Sequence, residues 1–190
     1  MKSVLISIQP KWCELIASGK KTVEIRKTKP KLETPFKVYI YATEPRQKRD
    51  LGLCLDDGKV GLIYKWNYDY ARRNNMPILS GKVIGEFVCN AIISHCEMAN
   101  ADIAEIQGRI KREKLLEYSN GKELFGWHIS DLVIYDKPKE LSEFKKEGFM
   151  TEEDWLAALY PNTHCHYEAW AKKFDITKPP QSWCYVEERR

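Results

Sequence analysis

The segment Gly19-Lys20-Lys21-Thr22-Val23-Glu24-Ile25-Arg26 holds the residue types best suited to chemistry in this 190-residue chain. A glycine turn delivers a lysine just ahead of an alternating stretch whose polar face carries an acid and a guanidinium. Two residues apart on a strand, Glu24 and Arg26 lie about 6 to 7 Å apart, close enough to influence each other's ionisation and orientation. A planar guanidinium suits phosphate or carboxylate. Lys21 either binds phosphate as a point charge or, if desolvated, acts as a general base. The alternative is an ordinary exposed strand whose ion pairs are worth at most about 1 kcal/mol.

Charge singles out the same segment. Between positions 20 and 31, Lys20, Lys21, Arg26, Lys27, Lys29 and Lys31 face Glu24 alone, a net +5 in a chain whose total is +4. The remainder is therefore close to neutral, and the basic stretch has the distribution expected of an anion or nucleic-acid site. A second mixed stretch, Lys65-Trp66-Asn67-Tyr68-Asp69-Tyr70-Ala71-Arg72-Arg73, interleaves aromatics with basic residues and reads either as a nucleic-acid flap or as a packed extension. With 43% hydrophobic and 12% aromatic residues the chain can bury a core, which excludes wholesale disorder and a disulfide-dependent mini-protein.

Other chemistries find less support. The six cysteines include no C-x-x-C pair and read as reduced core thiols, and nothing identifies an activating partner for a nucleophilic one. His164-Cys165-His166, His95-Cys96 and His128 offer zinc-type ligands at unsuitable spacing, so no metal and no cofactor is expected. No apolar run approaches the roughly 20 residues of a spanning helix, and the Met1 to Ile6 start is too short for a signal sequence. The expectation is a soluble, cytoplasmic protein without an obligate protein partner.

The elements that must position these residues follow from periodicity. Val4, Ile6 and Ile8 mark a strand, and Pro10 opens a short helix whose Trp12, Leu15 and Ile16 share one face until Gly19 stops it. Thr22 to Arg26 is an amphipathic strand, and Phe36 to Tyr41 a third strand rich in aromatic and β-branched residues. Residues 44 to 80 have weak periodicity and read as an excursion from a single 1–190 domain. Lys82 to Ser94 predicts a strand that places Glu86 among apolar neighbours. A helix is expected from about Ala101 to Tyr118 after Asn100 as N-cap, weakened by Gly108. Strands near Gly126 to Ile129 and Leu132 to Tyr135 follow. Thr151 should cap a helix through Trp155 to Tyr160 that Pro161 closes, with a second from about Tyr167 to Lys173. A final strand spans Ser182 to Val186. Many short strands with few helices indicate a compact α+β barrel.

Gly19, Lys21, Glu24 and Arg26 fit the pattern GxKxxExR, which resembles the signature of the ASCH domain family in the PUA-like superfamily. Leu5-Ile6-Ser7-Ile8-Gln9-Pro10-Lys11-Trp12, Gly81 to Phe87, Trp127-His128-Ile129 and the ending Pro179 to Val186 are similar to stretches of stand-alone phage and bacterial ASCH proteins. The resemblance implies an α+β, PUA-like mixed β-barrel with flanking helices and a cleft that binds RNA, a nucleotide or a modified nucleoside. In that cleft Lys21 and Arg26 would hold phosphate or a base edge, and Glu24 would accept from a base amino group or orient the cations. Lys20, Lys27, Lys29 and Lys31 would add a salt-sensitive backbone contribution. One branch of similar architecture hydrolyses N4-acetylcytidine with a lysine, a threonine and a glutamate. Lys21 matches its lysine, but Glu24 stands where its threonine falls. Thr22 and Glu86 are the substitutes available for nucleophile and proton donor. Ribonuclease chemistry, also associated with the family, would draw on Lys21, Glu24 and Arg26.

Overall fold

Strand β1 (Ser3–Ile8) is buried along its whole length, consistent with a central position in the sheet. The structure is a computed structural model and describes residues 2–94, 102–159 and 164–188. Pro10 sits at the start of helix α1 (Pro10–Ala17), where a missing N–H costs nothing, and the chain turns out of the helix at Gly19 with φ of +70°. The strands β2 (Val23–Arg26) and β3 (Phe36–Ala42) follow.

Residues 44 to 80 are more regular than their periodicity suggests. They form the hairpin β4 (Leu51–Asp56) and β5 (Lys59–Tyr64), then the short helix α2 (Tyr68–Arg73). This two-stranded sheet is separate from the main one, but Leu53 is fully buried in the main core, and its amide N–H donates to the Ser80 hydroxyl oxygen at 2.8 Å.

The long strands β6 (Val83–Ile93) and β7 (Phe125–Lys139) pair side by side in the main sheet. Two separate strands were expected over the latter. One continuous strand forms instead, with Asp131 absorbing the kink at φ of +47°. Strands β8 (Phe144–Lys146) and β9 (Trp183–Glu188) complete the order β2-β7-β6-β3-β1-β9-β8. Among the described strands only β1 and β3 pair in parallel. The hydrogen-bonded order is open, running from β2 to β8, so among the described residues the expected barrel is not closed by a backbone ladder.

The continuous helix expected from Ala101 to Tyr118 is broken. A π-helical turn, Asp102–Gln107, gives way at Gly108, Arg109 takes a left-handed φ of +55°, and a regular helix resumes at Arg112–Ser119. Downstream, the Thr151 hydroxyl oxygen accepts the Asp154 amide at 3.2 Å and so caps the Glu152–Leu159 helix, as its sequence indicates. A further helix spans His164–Ala171. The expected Asn100 cap, Tyr160 and Pro161 lie outside the described residues. No described helix is long and apolar enough to cross a membrane.

Two apolar clusters occupy the two faces of the sheet. Val4, Ile6, Ile8, Val38, Ile40, Phe87 and Trp127 pack on one face beneath α1, while Leu5, Tyr39, Val83 and Phe144 pack on the other. A third cluster joins Val23 and Ile25 of β2 to Ala104, Leu115 and Leu124. That arrangement decides the environment of the signature residues.

Candidate functional site

Strand β2 forms one end of the sheet, paired antiparallel with β7 so that Glu24 sits opposite Trp127 and Arg26 opposite Phe125. Because side chains alternate, Val23 and Ile25 go into the third cluster, and Glu24 and Arg26 take the opposite face, shared with buried Trp127. The polar face of this strand, expected to face outward, is therefore covered as well. Lys21, Glu24 and Arg26 are 4%, 5% and 8% exposed.

These three side chains form one ion-pair network. Lys21 Nζ lies 3.4 Å from one Glu24 carboxylate oxygen, and Arg26 Nη2 lies 3.0 Å from the other. Lys21 also donates to the Gly108 carbonyl at 2.6 Å and packs with Nζ 5.1 Å from the centre of the Trp12 ring. Arg26 Nη2 donates to the Ser7 carbonyl at 2.7 Å, and Nη1 reaches the Ser182 hydroxyl at 3.4 Å. One carboxylate thus sits between two cations in a place shielded from water. Burial pushes the Lys21 ammonium below its ordinary value, and the neighbouring Glu24 carboxylate opposes that shift without cancelling it. Arg26 Nε, the Ser7 hydroxyl and the Trp127 indole N–H are buried without a hydrogen-bond partner.

The backbone explains how the chain holds Lys21 there. Its N–H donates to the Leu15 carbonyl at 2.9 Å, finishing α1, and Thr22 N–H donates to Gln107 at 3.0 Å. Arg109 Nε in turn donates to the Lys20 carbonyl at 2.6 Å. The break at Gly108 is therefore part of the site. It turns a main-chain oxygen onto Lys21 that a continuous helix would have committed to its own ladder. Thr22 is half-buried beside this junction.

The rim is different in character. Lys20, Lys27, Lys29 and Lys31 are exposed. Lys27 Nζ lies 4.8 Å from the centre of the Tyr118 ring and Lys29 Nζ 5.3 Å from that of Phe125. The loop carrying Lys27, Lys29 and Lys31 is tied to β9, where the Trp183 indole donates to the Thr28 hydroxyl at 3.0 Å and the Tyr185 hydroxyl accepts the Lys31 amide at 2.7 Å.

Glu86 does not join this group. It lies opposite Tyr39 in the β3 ladder, on the other face of the sheet from Phe87 and Trp127. Burial alone would raise its carboxyl, but hydrogen bonds from Lys37 at 2.7 Å and Tyr135 at 2.5 Å outweigh it and hold the group below the usual carboxylate range. The raised pKa that a proton donor at Glu86 would need is the opposite of what its partners produce.

Among the described residues no group of three or more His, Cys, Asp or Glu is placed to hold a metal ion. His128 Nδ1 is 2.7 Å from Asn90 Oδ1. His95 and Cys96 lie outside the described residues, as do the side chains of His164, Cys165 and His166. Cys13, Cys54 and Cys89 are free and buried; burial raises the Cys89 thiol to about 12 and pushes Cys13 well above its ordinary value. These thiols are structural.

The family model of the ASCH domain matches residues 6–180. The chain belongs to the ASCH domain family. Solved structures similar to this ASCH chain include ASCH from Zymomonas mobilis, with a TM-score of 0.53 at 18% identity over 97% of this chain and 87% of that one. A tyrosine-to-phenylalanine variant of that protein gives 0.53 at 19% identity, covering 100% and 93% of the two chains. A serine-to-alanine variant gives 0.52 at 19%, covering 98% and 89%. These likenesses establish a shared fold. No curated protein sequence matches the chain significantly.

Proposed function

We propose that this ASCH protein binds RNA or a nucleotide-like ligand at the β2 edge, with Lys27, Lys29 and Lys31 as its backbone-contacting rim. The observation that carries the reading is electrostatic. Three exposed lysines lie in one loop, none forms an ion pair among the described residues, and two are steadied over aromatic rings. Beneath them a buried network holds two cations to a single carboxylate, so the ground under the rim is electropositive too. Glu24 orients Lys21 and Arg26, and their buried charges add to the positive potential that a phosphate approaching the rim meets. The bent sheet, in which Arg26 of the edge strand reaches β1, supports a PUA-like, barrel-like reading of the architecture.

Titration of single-stranded RNA against salt tests this. Replacing Lys27, Lys29 and Lys31 by Ala should lower the magnitude of the log K against log salt slope by about 2, since each phosphate contact on a single strand contributes roughly 0.7. An unchanged slope would remove the rim from the interface.

A hydrolytic reading rests on one further observation, the depressed basicity of Lys21, which suits a general base. In this reading Lys21 activates Thr22 or a water against a modified nucleoside. Incubation with N4-acetylcytidine, followed for cytidine release and repeated with Lys21→Ala, decides it. Absence of turnover at high protein concentration disposes of that substrate.

A further inference from the structure

At the open end of the β4–β5 hairpin, away from its Asp57-Gly58 turn, two aromatic rings stack in the open. Tyr64 and Trp66 have ring centroids 5.9 Å apart and planes inclined by 18°, and they are 46% and 60% exposed. Leu51, directly opposite Tyr64 in the ladder, is exposed beside them, as is Leu62 two residues along the same strand face. Burial does not explain the position of Trp66, whose side chain belongs to none of the apolar clusters.

The charges around the stack are positive. Trp66 N–H donates to the Lys48 carbonyl and Lys65 N–H to that of Asp50, both at 3.0 Å, which fixes the loop carrying Arg46, Lys48 and Arg49 against the rings. All three of these basic residues are exposed, and none forms an ion pair among the described residues. Two nearby carboxylates are engaged locally: Asp50 accepts the Gln47 amide at 2.7 Å and Asp69 pairs with Arg72 at 3.1 Å. Aromatic faces flanked by unpaired cations complement a single-stranded polyanion with stackable bases better than they complement an apolar partner.

We propose that Tyr64 and Trp66 are a base-stacking platform for single-stranded RNA, with Arg46, Lys48 and Arg49 taking its phosphates. The inference rests on the RNA-binding reading above and adds to it a second contact surface, on the excursion and separate from the β2 rim. A base stacks on the open face of Trp66, and Tyr64 supports that ring from below. Such stacking tolerates any sequence because every base has a π-face, and it requires an unpaired strand.

The test is fluorescence anisotropy with a labelled mixed-sequence RNA dodecamer, single-stranded and as its duplex. The proteins compared are wild type, Trp66→Ala, Trp66→Phe and the Lys27/Lys29/Lys31→Ala variant. Trp66→Ala should weaken single-strand binding about tenfold with an unchanged salt slope, Trp66→Phe should restore most of it, and duplex binding should not respond. If wild type binds and Trp66→Ala binds equally well, the platform is overturned while the β2 rim stands. If Trp66→Ala loses affinity and the lysine variant keeps its slope, the rim reading fails and the platform holds. Absence of any RNA binding by wild type overturns both. Concentration-dependent dimerisation that Trp66→Ala abolishes would assign the rings to a second copy of the chain and overturn the proposal. The high exposure of Trp66 keeps folding out of the comparison.

Discussion

Arg26 Nη2 donates to the Ser7 carbonyl oxygen at 2.7 Å, so a side chain from one end of the sheet ties onto a strand near its other end. The Ser7 N–H donates to Ser182 O at 2.9 Å on the β9 side of β1, and the carbonyl of the same residue faces that side as well. Strand β9 begins its ladder at Trp183, opposite Ile6, so the regular pairing stops one residue short of this carbonyl. The guanidinium supplies the missing donor while its other contacts hold Glu24 and the Ser182 hydroxyl. The open strand order is thus bridged by a side chain at the point where a barrel would need a ladder.

Arg26→Lys should therefore weaken this junction even though charge is conserved. In Arg26 one nitrogen, Nη2, serves both Glu24 and the Ser7 carbonyl while Nη1 reaches the Ser182 hydroxyl; a lysine is shorter and ends in a single nitrogen, which does not reach all three partners. The expected loss is about 1 to 3 kcal/mol, the cost of one buried acceptor left without its donor. Urea denaturation measures it, and hydrogen exchange at the Ser7 amide should speed up in parallel. Unchanged exchange would mean that the bridge is incidental to the β1–β9 junction.

The Lys21–Glu24–Arg26 network predicts an asymmetry between its members. Glu24→Gln leaves two buried cations facing each other and should cost about 3 to 5 kcal/mol; Lys21→Met leaves the Glu24–Arg26 pair intact and should cost less. The linkage sign follows from the depressed Lys21 value. Above the folded pKa and below the ordinary 10.5, the unfolded chain holds a proton that the folded chain has released. Stability contributed by this group therefore rises with pH through that window. Comparing urea midpoints across alkaline pH should show the rise in wild type and a flatter profile in Lys21→Met. Parallel profiles would mean that Lys21 keeps its ordinary basicity.

The parts of this site that periodicity could reveal were those set by local sequence. Alternation placed Glu24 and Arg26 on one face of β2, Pro10 and Gly19 bounded α1, and Thr151 marked a helix start, because each depends on neighbours in the chain. What alternation could not supply was the second cover. An amphipathic strand normally sends its polar face to water, and only the arrival of β1, β9 and α1 over Glu24 converts that face into a buried ion-pair network. The residues that complete the network, Ser7, Gly108 and Ser182, carry no local signal for this role. Two of them act through main-chain carbonyls, which no side-chain pattern reports. Glu86 misled for the same reason: its apolar sequence neighbours lie on the opposite face, and its partners Lys37 and Tyr135 come from other strands. Residues 44 to 80 were obscured because Gly52 and Gly61 interrupt the alternation of β4 and β5.

Gly108 offers the sharpest test of how a main-chain group shapes the site. Its conformation is open to other residues, since its φ is not in the left-handed region, but its surroundings are not. A Cβ there would lie 2.7 Å from the Ala104 carbonyl oxygen and 2.7 Å from Ile25 Cδ1. The first obstacle is backbone that cannot swing aside, and the second is a core side chain of β2 packed in the third cluster. Gly108→Ala should force the 104–108 turn away from β2, carry its carbonyl off Lys21 Nζ and destabilise the fold by about 1 to 3 kcal/mol. Gly61→Ala is the matched control, because a Cβ there meets nothing within 4 Å and the change also restricts the unfolded chain. Urea midpoints of the two variants separate a steric role from a generic glycine effect. Loss of stability in Gly108→Ala with the control near wild type is the expected result. Equal stability in both would show that the turn relaxes freely and that the Gly108 carbonyl does not position Lys21.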